Sequence, residues 1–309
     1  MIVSRFAPAP TGLLHLGHVI NALHVWGITR AVGGRVLLRI EDHDRQRSRA
    51  EYERAILDDL EWLGFIPDEP PIDAFRRGPC AGRQRDRQDI YTAALNRLRD
   101  AGLIYACDCT RRELRDAMTA DGGVAEGELR YSGRCADRRL EWAPGRGLRV
   151  RFARSVERFD DLRHGMLAQC PAEQCGDMLV KDRDGNWTYQ FAVAVDDFEQ
   201  GVTLVIRGDD LLASTGRQLQ LARLLGRDVP PRYLHHGLIM KSATQKLSKA
   251  DRDTSVRDMR EAGDPPDVVF GRALHAAGLL TTMEPTSRVE AERIIVQHYD
   301  VCAVLGRQS

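Results

Sequence analysis

The sequence predicts an α/β fold in which a parallel sheet carries chemically active residues at the carboxyl ends of its strands. Three observations indicate this class. Strand-like and helix-like segments alternate in the first third of the chain, polar loops follow the first two strands, and strand-like segments return after an irregular middle region. The 309 residues are 43% hydrophobic and 29% charged, which is ordinary for a folded globular protein.

The first half of the chain contains two predicted strand–helix pairs. Apolar residues alternate in each strand and recur at helical spacing in each helix. Ligands of parallel sheets gather where the strands end, so the loops after these two strands are the first candidates for a site. The predicted pairs are strand 2–6 with a helix from His18 to Gly33, and strand 35–40 with helix 49–63.

The regular alternation lapses after Leu103, where the chain becomes rich in arginine, glycine and short polar turns. We interpret this region as an inserted module. The predicted divisions are 1–103 (first half of the sheet domain), 104–187 (inserted module), 188–240 (second half) and 241–309 (a lysine-containing loop and a short helical segment). The later predicted strands are 148–152, 178–181, 188–195, 202–206 and 233–240, with a helix over 214–225.

Charge and hydropathy exclude several classes of protein. The formal net charge is zero, so any binding of nucleic acid must use a local basic face rather than bulk positive charge. No window approaches the roughly 20 apolar residues of a membrane span, and the N-terminus lacks a signal-peptide pattern. We therefore expect a cytoplasmic protein without membrane attachment. We also expect a monomer, although charge and hydropathy do not bear on the oligomeric state.

Two histidines flank a glycine at the start of the first helix, in His15-Leu16-Gly17-His18. This spacing places both imidazoles on one helical face, beside the unpaired N–H groups of the first turn. Such a helix start attracts phosphate, and Gly17 would let a flat adenine ring approach the backbone. The alternative is a pair of capping or packing histidines, which the spacing alone does not exclude.

Only four of the 45 basic residues are lysines, and three of these fall within nine residues: Lys241, Lys246 and Lys249. In a chain that otherwise uses arginine, this clustering indicates a site that needs compact, flexible ammonium groups. In Lys246-Leu247-Ser248-Lys249, two such groups could reach the charge that develops on a departing pyrophosphate. Taken alone, the tetrapeptide is equally typical of a solvated loop.

The order strand, HxGH and helix near the N-terminus, with KxSK after a late strand, resembles the Rossmann-like catalytic domain of class I aminoacyl-tRNA synthetases. RFAPAPTGLLHLGH at 5–18 and LRIED at 38–42 are similar to the glutamyl and glutaminyl branch. Within that branch the chain resembles the glutamyl-queuosine tRNA(Asp) synthetases, truncated paralogues of glutamyl-tRNA synthetase. It is short and it carries cysteines, and because only about 60 residues follow the lysine loop, we expect no anticodon-binding domain.

The resemblance implies binding of ATP with Mg²⁺, and of L-glutamate. It assigns catalysis and ATP binding to His15, His18, Lys246 and Lys249, with Gly17 as a further ATP contact. It places the glutamate contacts on Arg5, Phe6, Ala7, Pro8, Ala9, Glu41, Tyr189 and Arg207, where Ala9 replaces the more frequent serine. Arginine can grip a carboxylate through two parallel N–H bonds, and a glutamate side chain supplies the anion that an α-ammonium group needs.

The seven cysteines predict a metal site rather than disulfides. The spacing of Cys107-Asp108-Cys109 strains a mutual disulfide but lets both sulfurs face one ion. The resemblance implies one structural zinc ion per chain, held by Cys107, Cys109, Tyr131 and Cys135. Cys170 and Cys175 could complete a four-sulfur site instead, and ligand softness favours that set. The choice of Tyr131 therefore rests on the resemblance.

The resemblance implies that the enzyme activates glutamate with ATP and transfers it to the queuosine base of tRNA(Asp). Two alternatives remain open at this point: a conventional glutamyl-tRNA synthetase acting on a tRNA 3′ end, and a non-catalytic, zinc-stabilised RNA-binding paralogue. Arginines around the predicted zinc module could hold RNA phosphates. They are Arg111, Arg112, Arg115, Arg130, Arg134, Arg138 and Arg139.

Overall fold

A computed structural model of the chain describes residues 1–120, 130–239 and 255–299. Its strands are β1 (Val3–Phe6), β2 (Arg35–Leu38), β3 (Ile104–Cys107), β4 (Gly147–Val150), β5 (Glu157–Asp161), β6 (Gly165–Gln169), β7 (Met178–Lys181), β8 (Leu204–Gly208) and β9 (Arg232–His236). Its α-helices are α1 (Leu16–Ala31), α2 (Ala50–Trp62), α3 (Ile72–Arg77), α4 (Gln88–Asp100), α5 (Arg111–Ala120), α6 (Pro171–Gln174), α7 (Tyr189–Glu199), α8 (Thr215–Leu224), α9 (Val256–Glu261), α10 (Pro266–Ala276) and α11 (Arg288–Tyr299).

The main sheet is built from parallel strands. β1 pairs with β2, and β8 pairs with β9, which in turn meets β5, while β6 adds an antiparallel edge. β8 lies beside β1, because Thr203 N donates to Val3 O at 2.9 Å and Arg5 Nη1 reaches Ile206 O at 3.3 Å. The carboxyl ends of β1, β2, β8 and β9 therefore lie at one edge.

A separate antiparallel sheet of β3, β4 and β7 occupies the region predicted as an inserted module. Its apolar face packs against α4 and α7, which lie outside the predicted module, through Tyr91, Leu95, Val150 and Phe191. Because this core joins residues from both sides of the predicted boundaries, the domain divisions stay a prediction.

The prediction of a strand over 188–195 is wrong, because this segment forms α7. Its aromatic and β-branched residues alternate with small ones, which is the period of a strand. Every residue from Phe191 to Asp197 is buried, so the helix has no exposed face that would reveal a 3.6-residue period. The correction also moves Tyr189 from a strand to the first turn of a helix.

The other predicted elements correspond more closely. The strand predicted over 233–240 begins at Arg232 and ends at His236, and the helix predicted after His18 already begins at Leu16. The predicted C-terminal helical segment is present as α9, α10 and α11. α4, β5 and β6 were not predicted, although the buried residues of α4 (Tyr91, Ala94, Leu95 and Leu98) recur at helical spacing and burial alternates along β5.

The C-terminal helices pack against α1 and hold it in place. A Cβ atom at Gly27 of α1 would lie 3.1 Å from Glu292 Cβ, so the glycine allows α1 and α11 to approach closely. The largest apolar core joins these helices to β1, β2 and β8, with Trp26 and Phe270 among its fully buried members. Within the described ranges, no helix is long and apolar enough to cross a membrane.

Candidate active site

A cavity of about 370 Å³ opens at the carboxyl edge of the parallel strands. Arg5 and Arg207, about 200 residues apart in sequence, meet there because β1 and β8 are neighbours. The predicted residues that line the cavity are Arg5, Ala7, His15, Gly17, His18, Glu41, Tyr189 and Arg207. The cavity therefore brings together residues predicted for glutamate and residues predicted for ATP.

Three predicted residues do not line this cavity. Phe6 is 1% exposed and packs against Trp26 in the core, with ring centroids 5.5 Å apart. Pro8 supports the site through its backbone, since its carbonyl accepts from Glu41 N at 3.0 Å. Ala9 lies next to it, on the same loop. Lys246 and Lys249 lie outside the described residues.

The two histidines of the HxGH motif cap α1 as well as line the cavity. His15 is the N-cap residue, and its Nδ1 accepts from Gly17 N at 3.0 Å, while His18 Nδ1 accepts from His15 N at 3.2 Å. A Cβ atom at position 17 would lie 2.8 Å from the His15 ring, so the absence of a side chain at Gly17 leaves room for this ring. The motif therefore caps the helix, and both of its imidazoles also line the cavity.

A buried ion network lies behind the part of the cavity that is lined by Arg5 and Glu41. Asp197 Oδ1, on α7, accepts from Arg5 Nε at 3.0 Å and from Arg39 Nη2 at 2.7 Å. Arg39, which is fully buried, also brings its Nε to 3.5 Å from Glu41 Oε1. Arg5, Asp197, Arg39 and Glu41 therefore form one chain of alternating charges, which fixes the two ends that face the cavity.

Burial and neighbouring charges shift the pKa values of the two carboxyl groups, Asp197 and Glu41, in opposite directions. Burial alone would raise the pKa of Asp197, but Arg5 and Arg39 lower it to about 2. At Glu41 burial dominates over the same two arginines, and the pKa of this carboxyl rises to about 7. Asp197 is therefore a fixed anion, whereas Glu41 changes its charge near neutral pH.

Arg207 is buried without a carboxylate partner among the described residues. Its guanidinium donates to neutral acceptors: His235 Nε2 at 3.0 Å, Gln218 Oε1 at 2.7 Å and Thr215 Oγ1 at 2.9 Å. Burial lowers the pKa of Arg207, but an arginine keeps its proton in proteins. The cavity therefore contains a positive charge that is held in position and that no described carboxylate neutralises.

Several residues of the site were not predicted from the sequence. Asn21, Asp210 and His236 also line the cavity, and Asp197 and His235 lie behind it. The pair His235-His236 ends β9 at the carboxyl edge of the sheet, where ligands gather. Their position at a strand end could therefore have indicated these two residues as candidates. Asp197 was not singled out either, although it lies only two residues beyond the strand predicted over 188–195.

A second group of predicted residues meets in the region after β3. Cys107, Cys109 and Cys135 are buried, and their sulfurs lie within 4.8 Å of one another. The Tyr131 hydroxyl lies 3.6 Å from Cys107 Sγ and accepts from Cys135 N at 2.8 Å. Arg149 donates to Cys107 Sγ at 3.4 Å, an arrangement that favours a thiolate.

The donor set of this cysteine cluster fits a zinc ion. Three sulfurs and a phenol oxygen converge, which is a sufficient number for a closed tetrahedral site. The alternative pair does not join the cluster: the Cys175 thiol donates to Pro171 O at 3.3 Å, and Cys170 is only partly buried. The geometry therefore favours Tyr131 and Cys135 over Cys170 and Cys175 as companions of Cys107 and Cys109.

The chain is similar to proteins of known family. A glutamyl-Q tRNA(Asp) synthetase from Nitratidesulfovibrio vulgaris is 40% identical over 296 residues, which cover 92% of this chain and 89% of that protein. One from Burkholderia cenocepacia is 40% identical over 291 residues, covering 93% and 92%. A glutamate–tRNA ligase 2 from Syntrophus aciditrophicus is 39% identical, but this chain covers only 55% of its length.

Solved structures of glutamate–tRNA synthetases are also similar to this chain. A glutamate–tRNA synthetase from Elizabethkingia anophelis is 29% identical with a TM-score of 0.75, and the similarity covers 94% of this chain and 65% of that one. A glutamate–tRNA ligase from Elizabethkingia meningosepticum, solved in complex with its amino acid, gives the same identity and TM-score. The family model of class I tRNA synthetases (E and Q), catalytic domain, matches residues 1–296. The chain therefore belongs to the class I tRNA synthetases of the E and Q type, a family of ligases, as the sequence motifs predicted.

Proposed function

We propose that this enzyme activates L-glutamate with ATP to glutamyl-adenylate, and then transfers glutamate to the queuosine base of tRNA(Asp). The family and the names of the relatives support a glutamate–tRNA ligase type of activity. The single observation that carries the choice of amino acid is the charge pattern of the cavity, in which Arg207 is a buried cation without a carboxylate partner among the described residues.

Glutamate complements this charge pattern. It carries two carboxylates and one ammonium group, and the cavity offers Arg207, Arg5 and the buried carboxylate of Glu41. A substrate carboxylate on Arg207 would supply the neutralising charge that no described side chain supplies. The α-ammonium group of glutamate would in turn balance the negative charge of Glu41 and keep this carboxylate ionised. The hydroxyl of Tyr189 adds a donor on the same wall.

ATP would occupy the end of the cavity that begins at α1. An imidazole that accepts at Nδ1 carries its proton on Nε2, so neutral His15 and His18 are both in the form that donates from Nε2. Such donors suit phosphate oxygens at a helix N-terminus. Lys246 and Lys249 would meet the departing pyrophosphate, with Mg²⁺ bound to the nucleotide.

The chemistry of activation requires no covalent enzyme intermediate. An oxygen of the glutamate α-carboxylate attacks the α-phosphorus of ATP, a new acyl–phosphate bond forms, and the bond to pyrophosphate breaks. The protein's contribution is then to hold the two substrates in line and to stabilise the charge on pyrophosphate. The Arg5–Asp197–Arg39–Glu41 network supports this placement because it keeps two substrate contacts rigid.

Zinc would have a structural role. Cys107, Cys109, Tyr131 and Cys135 would hold it, and closed protein ligation leaves no position for substrate. A bound ion would tie the loop after β3 to residues near 131–135 and so order a module with few apolar residues.

Transfer to queuosine is supported by the names of the relatives that this chain covers nearly end to end. The direct test uses wild-type enzyme, ATP and radiolabelled glutamate with three RNAs: queuosine-containing tRNA(Asp), queuosine-free tRNA(Asp) and tRNA(Glu). We expect label on the first RNA alone, stable to removal of the 3′ adenosine. Label on the 3′ end of tRNA(Glu) would instead establish the conventional ligase activity.

A further inference from the structure

His235 is a buried histidine that lies directly behind Arg207. Its Nδ1 lies 2.6 Å from Asp161 Oδ2, and its Nε2 lies 3.0 Å from Arg207 Nε. His235 and Asp161 are 0% and 1% exposed, so neither side chain contacts solvent. A line of three side chains therefore runs from the interior of the sheet to the wall of the cavity.

The hydrogen-bond donors in this line fix the tautomer of the imidazole. Arginine has no acceptor, so Arg207 Nε must donate and His235 Nε2 must accept. Thr215 Oγ1, which accepts from Arg207 Nη2, lies 3.3 Å from the same Nε2. The proton of a neutral His235 is therefore on Nδ1, where the Asp161 carboxylate accepts it.

The orientation of Asp161 is fixed as well. Its Oδ1 accepts from two backbone groups, Arg163 N and His164 N, each at 3.0 Å. Its Oδ2 accepts from His235 N at 3.2 Å and from Nδ1 of the same residue. Each carboxylate oxygen is thus committed to N–H donors, and only an anion at position 161 satisfies all four.

We propose that Asp161 and His235 are positioning residues: Asp161 holds the imidazole in its Nδ1–H tautomer, and His235 Nε2 then directs the Arg207 guanidinium toward a substrate carboxylate. The inference rests on the proposed glutamate site. A neutral acceptor at 235 suits this purpose, because a carboxylate there would neutralise Arg207 and compete with the substrate.

The surroundings of His235 are consistent with a neutral ring. Burial lowers its pKa, and the positive charge of Arg207 acts in the same direction, while Asp161 and the more distant Asp209 oppose them. The Tyr233 ring stacks on the imidazole at 5.7 Å between centroids. Protonation would place an N–H on Nε2, against the N–H of Arg207, and would break the contact.

Nuclear magnetic resonance of wild-type protein labelled with ¹⁵N-histidine and ¹⁵N-arginine tests the arrangement without any substrate. We expect the Nδ1–H tautomer at His235, assigned by its loss in His235→Gln, and a scalar coupling between Arg207 Nε and His235 Nε2 across the hydrogen bond. An Nε2–H tautomer, or a charged ring at pH 7.5, overturns the proposal whatever the enzyme's substrate is.

Asp161→Asn gives a sharper version of the same experiment. The two backbone donors on Oδ1 hold the amide oxygen there, which turns the amide nitrogen toward His235 Nδ1. Two donors then face each other, and the imidazole must move its proton to Nε2. We expect the tautomer signal to switch, and the KM for glutamate to rise by about tenfold or more, the usual cost of a buried unsatisfied group, with little change for ATP.

His235→Leu and His235→Gln provide the second pair of variants. Leucine removes the acceptor and should raise the KM for glutamate about tenfold, whereas glutamine keeps an acceptor for Arg207 Nε and should stay within about threefold of wild type. His164→Gln is the matched control, because its Nε2 pairs with Asp209 at 2.8 Å on the surface and does not contact Arg207.

Equal glutamate KM values for the leucine and glutamine variants would overturn the positioning role. If wild type shows the expected tautomer and coupling but no glutamate-dependent exchange of pyrophosphate into ATP, the proposed function fails, while the arrangement of Asp161, His235 and Arg207 stands. The two failures are therefore distinguishable.

Discussion

At the residue scale, burial decides which charges of the cavity are available to a ligand. Arg5 and Arg207 both line it, yet Arg5 is already paired with Asp197 at 3.0 Å, while Arg207 is held by neutral acceptors. Opposite charge on a ligand therefore gains more at Arg207 than at Arg5. Glu41 is the anion that a positively charged ligand group would meet in the cavity, and its ion pair with Arg39 Nε is comparatively long, at 3.5 Å.

The raised pKa of Glu41 predicts that binding of glutamate depends on pH. Its pKa is raised to about 7 by burial, and only the ionised carboxylate attracts the α-ammonium of the substrate. The affinity for glutamate should therefore be constant at higher pH and fall as the pH drops through 7, by up to about tenfold per pH unit. The KM for glutamate, measured between about pH 6 and 8.5, tests this. A flat profile in wild type would contradict it, and Glu41→Gln should abolish both the slope and most of the affinity.

Arg207→Lys should weaken glutamate binding although it keeps the charge. A lysine ammonium cannot replace the planar fork that reaches His235, Gln218 and a substrate carboxylate together. We expect the KM for glutamate to rise by about ten- to a hundredfold, a loss of roughly 1.4 to 3 kcal/mol. Arg223→Lys is the control, because Arg223 lies in α8, is half-exposed and pairs with Glu157 rather than with the cavity. An unchanged glutamate KM in Arg207→Lys would count against the assignment.

At the element scale, the sequence pattern identified the first two strands and the amphipathic helix that follows them. α2 was predicted from apolar residues at helical spacing, whereas β1 and β2 were recognised as short strands although β1 is buried throughout and β2 is buried from Val36 to Leu38. α7 was mistaken for a strand because it is buried on all sides. The consequence extends to the site, since α7, which was not predicted as a helix, places Asp197 between Arg5 and Arg39.

The cysteine cluster after β3 predicts a metal-dependent module. Tyr131→Phe/Cys135→Ser should lose zinc and lower the thermal midpoint of unfolding, because binding of the metal contributes to folding. Cys170→Ser/Cys175→Ser should keep about one zinc per chain, as expected for a single closed site. Elemental analysis of the purified variants measures both. Full zinc content in the first variant would exclude Tyr131 and Cys135 as ligands.

At the scale of the whole molecule, the resemblance of the motifs identified more of the site than composition or periodicity could. Eight predicted residues from distant parts of the chain line one cavity, because β1 and β8 are adjacent. The supporting contacts could not be predicted in this way. Asp161 and His235 come into contact only because β5 and β9 lie side by side, and that pairing is a property of the fold.

The most direct test of the account is amino-acid-dependent exchange of labelled pyrophosphate into ATP by the purified wild-type protein. The cavity predicts exchange with L-glutamate, and much weaker exchange with L-glutamine, whose side-chain amide carries no charge to balance Arg207. The expected result is exchange that saturates with glutamate, with a glutamate KM that rises by about ten- to a hundredfold in Arg207→Lys and stays unchanged in Arg223→Lys. No exchange with glutamate, or exchange of equal efficiency with glutamine, would contradict the proposed activity.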